Sequence, residues 1–422
     1  MSVTVVIGSQ WGDEGKGRVV DYLARDADYV ARFNGGNNAG HTVINEHGTF
    51  KIHLVPSGVF SPRAVSLIGG GVVIDPGVLI HEIDTLAAAG IQIEGRLWVS
   101  PRAHLIMPYH KVLDGLYEQA KGAGATGTTR RGIGPAFADK VSYNGIRWTD
   151  FARRDILLSR LRTQVDLKNR IIIALGGQPL DFDGILDDYT ASYERLRPFL
   201  RELYPIVQDG LAQGRHFLLE QAMGTFLDTD WGTYPFVTAS TTIPSAASAG
   251  LGIPPRQITR VVAVTKAYTT RVGAGPLPTE IKDPSHPASA RFAETAATTG
   301  RSRRVGWLDL ELVRTAAALS GATELCITKM DVLSGLNDIQ VCTGYRLGGR
   351  DITYADVDAY GLDEVEPVYR QVKGWKEDIT AVRDFADLPL PAREYVALIE
   401  TAAGVPARWI SVGPERDAMI RR

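Results

Sequence analysis

The chain has 422 residues, 44% hydrophobic and 22% charged, with a formal net charge of −2. That is the balance of a water-soluble globular protein, and it leaves no basic footprint for nucleic acid. The length suits one large domain or two to three ordinary ones. The two cysteines, Cys326 and Cys342, are too few for a disulfide framework and fit a reducing compartment. The N-terminus runs straight into a strand-like segment without a signal peptide, and no apolar run approaches membrane-spanning length. A cytoplasmic protein with neither a membrane nor a nucleic-acid partner is expected. The 44 glycines exceed the usual share of about 7% and suit ligand loops built from backbone.

The apolar run Val3 to Ile7 leads into a glycine-rich loop carrying Asp13, Glu14 and Lys16 among Gly8, Gly12, Gly15 and Gly17. An amphipathic segment, Arg18 to Arg25, follows. This order predicts strand, phosphate loop, helix. Glycines let backbone N–H groups approach an anion, and a helix N-terminus adds positive potential. The loop departs from the Walker A pattern, because Gly17 stands where a magnesium-binding hydroxyl is required. A divalent cation would need another oxygen, and Asp13 offers one. A plain tight turn is the other reading of such a loop, but it has no use for two acids and a lysine. A strand-like run, Tyr29 to Phe33, then opens into Asn34 to Thr42, a glycine–asparagine loop that holds His41. Thr42 to Leu54 alternates around Glu46-His47-Gly48 and predicts a hairpin. Ala64 to Ile68 predicts a buried strand, Pro76 to Ala89 a helix with Pro first and Gly90 after its end, Leu97 to Val99 a strand, and Pro108 to Lys121 a helix. Strands alternating with helices predict a mainly parallel sheet covered on both faces.

Gly122 to Pro135 is a second glycine-rich loop, with Thr128, Thr129, Arg130 and Arg131. A surface linker would read the same way in outline, but paired hydroxyls and arginines suit a phosphate better. Trp148 to Leu175 and Gly184 to Gly214 predict an inserted helical layer, about 148–214, with pairs such as Glu194 and Arg197 on a solvated face. His216 to Glu220 returns to the sheet, and Arg260 to Val264 is a core strand. Thr298 to Arg304 is a third loop, TTGRSRR. Crowded arginines repel unless solvent or an anion relieves them. The position of this loop, with Trp307 opening a helix after it, favours a carboxylate or phosphate. Glu324 to Thr328 predicts a strand running into Lys329-Met330-Asp331. There an aspartate would accept from the ring N–H and exocyclic amine of guanine while the lysine stem lies along the base. Ile339 to Pro389 is strand-rich with little legible chemistry. Pro391 to Ala403 predicts a helix and Trp409 to Val412 a last strand.

QWGDEGKG at 10–17, followed by NNAGHT at 37–42, resembles the adenylosuccinate synthetase family, whose members join IMP to L-aspartate using GTP. The resemblance continues through MGTFLDTDWGTYPFVT at 223–238, KAYTTRVG at 266–273 and SVGPER at 411–416, so it covers nearly the whole chain. It implies an α/β, P-loop NTPase-like domain spanning 1–422, with a mainly parallel central sheet flanked by helices and with inserted helical and hairpin segments. It also implies a homodimer. For catalysis it points to Asp13, His41 and Lys16, with Mg2+ on Asp13 and the Gly40 carbonyl. It assigns GTP to the first loop (Gly12, Asp13, Glu14, Gly15, Lys16, Gly17, Arg18), to Gly40, His41 and Thr42, to Arg303, to Lys329, Met330 and Asp331, and to Ser411, Val412 and Gly413. The acceptor nucleotide shares Asp13, Glu14, Gly15, Lys16, Gly40 and His41, and adds Asn38, Ala39, Thr129, Tyr143, Met223, Thr238 and Arg301. L-Aspartate falls to Ala297, Thr298, Thr299, Gly300, Arg301, Ser302 and Arg303.

The 6-oxygen of a hypoxanthine is a poor leaving group until it is phosphorylated. Asp13 as general base on N1 would make that oxygen the nucleophile toward the γ-phosphorus of GTP. His41, Lys16 and the loop N–H groups would spread the transferred charge. Departures from the family cluster on the acceptor side. Tyr143 stands where an arginine usually reaches across the dimer to the IMP phosphate. Met223 and Asn34 replace purine-side glutamines, and the run Ala239-Ser240-Thr241-Thr242 is shortened. Arg18 for lysine reads as a mild change. These differences allow a second reading, in which the acceptor is another 6-oxopurine nucleotide such as dGMP. A third is a non-catalytic GTP-binding switch, which would share the first loop and Lys329/Asp331. It would have no need of Asp13, His41 and Arg301 to Arg304 together.

Overall fold

The computed structural model describes residues 2–294 and 302–422. A nine-stranded sheet forms the centre. Its strands run, edge to edge, Met419–Arg421, Ala407–Ser411, Glu324–Thr328, Ile258–Lys266, Ser2–Gly8, His216–Glu220, Tyr29–Arg32, Val65–Ile68 and Leu97–Val99. Every pairing is parallel except the edge strand Met419–Arg421, which is antiparallel. The expected α/β class with a mainly parallel sheet is therefore correct.

The first strand shows why it sits in the middle. Val3, Val5 and Ile7 enter one apolar core with Val207, Leu211, Tyr395 and Val396. Val6 points to the opposite face, into a second core with Val19 and Val20 of the Lys16–Leu23 helix. A strand rich in β-branched residues and buried on both sides suits a parallel sheet, and each such side chain contributes about 1.5–3 kcal/mol of burial. The chain leaves this strand toward Tyr29–Arg32 on one side and later supplies Ile258–Lys266 on the other. That makes the C-terminal end of Ser2–Gly8 a switch point, where α/β sheets open a crevice for ligands.

A third core joins the hairpin (His41–Asn45 paired with Gly48–Ile52), the Pro76–Ala88 and Pro108–Lys121 helices and all the inserted helices except the last, Leu203–Ala212, which packs into the first core. The insertion comprises Trp148–Phe151, Arg154–Ala174, Phe182–Leu196 and Leu203–Ala212. A buried polar cluster ties the Arg154–Ala174 helix to the Pro108–Lys121 and Ile133–Val141 helices. His110 Nδ1 accepts from the Met107 N–H, so Nε2 donates to Asp139 at 2.8 Å, and Lys168 also reaches Asp139.

Three expectations need correction. The second glycine-rich loop ends at Gly132, and Ile133–Val141 is a helix that buries Ile133, Ala136 and Phe137. Trp307 does not open a helix. It lies between two short strands, Arg304–Gly306 and Leu308–Asp309, and the helix Leu310–Ser320 starts only after Asp309, whose carboxylate caps it. The last strand of the sheet is not Trp409 to Val412, because Met419–Arg421 folds back on Ala407–Ser411.

Candidate active site

The first loop leaves the end of Ser2–Gly8 and is pinned from several sides. Gly8 N–H donates to Gln221 Oε1 at 3.0 Å, and Gln10 clasps the 266–269 backbone. Left-handed conformations at Gly12 (φ 89°), Asp13 (φ 58°) and Gly15 (φ 90°) send neighbouring side chains in opposite directions. Asp13 turns out to the crevice. Glu14 turns inward, fully buried, where it accepts from Gln10 N–H (3.1 Å) and Gly12 N–H (2.8 Å) and pairs with Lys16 at 2.6 Å. A Cβ on Gly8 would lie 2.2 Å from its carboxylate, so any other residue there would push Glu14 off its contacts with Gln10, Gly12 and Lys16. The missing hydroxyl at Gly17 has an equally direct cause. A Cβ there would lie 2.6 Å from His41 Cβ and 3.0 Å from Ser57 Oγ. His41 occupies the space that a Walker-type serine needs.

His41 is held by a cluster that neighbouring strands create. In-register pairing places Arg32 beside Glu220, at the ends of their strands. Glu220 binds His41 Nδ1, accepts from Ser57 N–H (2.7 Å) and Ser57 Oγ (2.8 Å), and lies 3.6 Å from the fully buried Arg32 guanidinium. Burial alone would raise the Glu220 carboxyl. His41, Arg32 and the Ser57 N–H outweigh it and hold the group at about 2. Burial pulls the His41 imidazole below its ordinary value. The pair is thus a neutral imidazole donating Nδ1–H to an ionised carboxylate, which leaves Nε2 as the atom available to the cavity.

At one end of the crevice Thr328 Oγ1 donates to the Glu14 carbonyl at 2.6 Å, joining Glu324–Thr328 to the first loop. Lys329 follows in a left-handed conformation. Asp331 Oδ1 is buried with no hydrogen-bond partner among the described residues. Burial pushes its carboxyl up, opposed by Lys329. The 411–418 loop is held over this end by Arg18, which donates to Ser411 Oγ (2.5 Å), the Gly413 carbonyl, the Glu415 carbonyl (2.5 Å) and the Ala418 carbonyl (2.9 Å). Lysine has no planar fork to span those acceptors, so arginine at this position is not the mild change expected from the sequence.

At the other end Glu118 organises the second loop. Its carboxylate accepts from Thr126 N–H, Gly127 N–H (2.7 Å) and Thr128 N–H (3.2 Å) and pairs with Lys121. Burial would raise it, but these donors hold it at about 2. Arg131 donates to the Asn37 carbonyl, and Asn38 to Thr238 Oγ1. Asn34 does not face a ligand. It accepts from Ala222 N–H at 2.9 Å and donates to the Thr241 carbonyl at 2.8 Å, bracing Met223, which is itself left-handed (φ 69°).

These parts enclose one cavity of about 1500 Å³. That exceeds the roughly 300–1,000 Å³ of a single-ligand site and has room for more than one ligand. Gly12, Asp13, Gly15, Lys16, Gly17, Arg18, Asn38, Ala39, Gly40, His41, Thr42, Thr129, Met223, Thr238, Ser302, Arg303, Lys329, Asp331, Ser411 and Gly413 line it. Glu14, Met330 and Val412 are buried behind its wall. Tyr143 stands away from it, 88% exposed at the far end of the Ile133–Val141 helix. Ala297, Thr298, Thr299, Gly300 and Arg301 lie outside the described residues. Sequence reasoning missed Arg32, Glu220 and Glu118. The only signal was a charged residue at the end of an apolar strand for the first two, and an acid just ahead of a glycine-rich loop for the third.

Phosphate loop, switch point and the Lys329/Asp331 pocket define a phosphate-loop α/β enzyme with a cavity for several ligands. A family model for adenylosuccinate synthetase matches residues 5–420. An adenylosuccinate synthetase from Clostridium botulinum (strain Langeland) is 45% identical over 420 residues, 99% of this chain and 98% of the relative. A fully ligated adenylosuccinate synthetase from Plasmodium falciparum superposes with a TM-score of 0.94 at 34% identity, covering 100% of both chains. The succinoaminodeoxyadenylate synthetase of cyanophage S-2L, solved with dGMP and dATP, covers 100% of this chain and 95% of its own with a TM-score of 0.60. At 21% identity it shares the fold alone. The chain belongs to the adenylosuccinate synthetase family. It is a GTP-dependent ligase of purine biosynthesis that joins IMP to L-aspartate, and neither the other acceptor nor the switch reading is favoured.

Proposed function

We propose that the cavity divides into a GTP end, built by the first loop, Arg18, Lys329, Asp331 and Ser411 to Gly413, and an acceptor end, built by Asn38, Ala39, Thr129, Met223 and Thr238. Asp13 and His41 lie between them. Asp13 removes the N1 proton of IMP, and the 6-oxygen attacks the γ-phosphorus of GTP. The amino group of L-aspartate then displaces phosphate from C6. Glu220 orients His41 so that its Nε2 meets the phosphoryl group in flight. Lys16 and the loop N–H groups receive the charge on the phosphates. Met330 and Val412 act by backing Asp331 and Gly413, and Glu14 by shaping the loop from inside. Ser302 and Arg303, with the 297–301 segment, take L-aspartate.

The observation that carries this reading is Asp331 Oδ1, buried with no hydrogen-bond partner among the described residues, at the end of a cavity that also holds Asp13, Lys16 and His41. It is an acceptor waiting for a donor, and guanine supplies one where adenine presents a lone pair. Asp13 and the Gly40 carbonyl fit Mg2+, which is typically held by one or two carboxylates plus substrate phosphates. Among the described residues no group of three or more His, Cys, Asp or Glu forms a separate metal cage. A magnesium ion bound there would neutralise phosphate charge.

The chain works as one unit with the 148–214 helices as an insertion, and as a homodimer. Support for the dimer is the outward projection of Tyr143 beside Val141, itself 71% exposed, on the element from which family members reach their partner. A cytoplasmic location is consistent with two buried free cysteines, and no helix among the described residues is long and apolar enough to cross a membrane.

Asp13→Ala tests the reading. Loss of a general base should lower kcat about a thousandfold while GTP still binds. An unchanged kcat would overturn it.

A further inference from the structure

Behind Arg303 stands a group that neither the family reading nor the mechanism uses. The Glu294 carboxylate gathers the Lys266 ammonium at 3.1 Å, the Tyr268 hydroxyl, one Nη of Arg303 and, at 3.8 Å, Lys329. Two of these partners form a rigid platform. Lys266 is fully buried and also donates to Thr270 Oγ1 at 2.7 Å. Tyr268 is 1% exposed and stacked on Phe292 with ring centroids 4.3 Å apart. The backbone adds a tie, since Arg303 N–H donates to the Glu294 carbonyl at 3.0 Å.

The consequence for Arg303 is geometric. Glu294 takes Nη1. The opposite edge, Nε and Nη2, is the one that grips a carboxylate side-on. Nη2 faces Asp13 at 2.9 Å, and Nε is buried with no hydrogen-bond partner among the described residues. The guanidinium is therefore held by Glu294 at Nη1 and by Asp13 at Nη2, and its buried Nε is the donor without a partner among the described residues.

We propose that Glu294 is a positioning residue for amino-acid capture, holding Arg303 through Nη1 so that its Nε–Nη2 edge, which Asp13 shares, can meet a carboxylate of L-aspartate. This rests on the reading of Arg303 as an aspartate-binding residue. Without the Glu294 charge, the Arg303 guanidinium keeps only its ion pair with Asp13, and the incoming amino acid must order it anew. The cost falls first on the amino-acid substrate, because the contact of Glu294 with Lys329 at the GTP end, 3.8 Å, is the longest of its four and couples the two only weakly.

The test is steady-state kinetics of the full chain with each substrate varied in turn, for Glu294→Gln, Glu294→Asp and Arg303→Leu. Glu294→Gln is expected to raise the KM for L-aspartate at least about tenfold, the worth of one hydrogen bond to a charged group. The KM values for GTP and IMP should stay within about twofold. Glu294→Asp keeps the charge with a shorter reach and should recover part of the loss. It also carries the test if the glutamine variant does not fold. An unchanged aspartate KM in Glu294→Gln would overturn the proposal, and so would an equal rise for all three substrates, which marks a general loss of structure. If Arg303→Leu leaves the aspartate KM unchanged, the reading of Arg303 itself fails. If only the Arg303 variant raises it, the reading stands and the role of Glu294 falls.

Discussion

The two ends of the cavity are built in different ways. At the proposed guanine end a short stretch, Lys329 to Asp331, follows directly from a sheet strand, and one side chain, Arg18, holds the 411–418 loop over it. At the proposed acceptor end the lining groups sit on loops that other residues brace. Glu118 cradles Thr126 to Thr128, and Asn34 fixes the turn that presents Met223. A strand end can place a recognition group with few supports, because the sheet already fixes the backbone. A loop needs a dedicated carboxylate or amide behind it. The proposed donor end thus rests on its lining residues themselves, and the proposed acceptor end on what lies beneath them.

That contrast can be broken experimentally. The largest effect is expected for Asp331→Asn. It turns the paired acceptors that guanine needs into an acceptor and a donor, so kcat/KM for GTP should fall about a thousandfold while XTP improves. The KM for IMP should stay unchanged. Competition assays with GTP, XTP and ATP would measure this, and an unaltered preference would refute the guanine assignment. Glu220→Gln should have the next largest effect. It removes the anion that orients His41 and the ion-pair partner of the buried Arg32, a loss of about 3 kcal/mol in stability. The expected kcat is about a hundredfold lower with little change in the KM for GTP, read by kinetics and urea unfolding side by side. Glu118→Gln should be mildest. Weaker bracing of 126–128 is expected to raise the acceptor KM about fivefold and leave the KM for GTP alone. A rise in both would mean that the two ends are not independently built.

Much of the guanine end was legible because its chemistry is contiguous in sequence. Strand Glu324–Thr328, Lys329 and Asp331 read together, as did the first loop. The acceptor end was less so. Glu118 lies on the predicted Pro108 to Lys121 helix, and its only mark is that an acid stands just ahead of a glycine-rich loop, which does not by itself make it that loop's brace. Glu220 and Arg32 are 188 positions apart and meet only through strand register. Asn34 read as a purine-side position because the family carries a glutamine there, yet its amide is spent on Ala222 and Thr241. The absence of a hydroxyl at Gly17 was visible, but its cause, the approach of His41, required the folded chain.

The central claim is that the base of one nucleotide receives the terminal phosphoryl group of the other at its 6-oxygen. IMP carrying heavy oxygen at that position, incubated with GTP, L-aspartate and the wild-type chain, reports on this directly by mass spectrometry of the products. The label should appear in the released phosphate. Unlabelled phosphate formed alongside adenylosuccinate would contradict it.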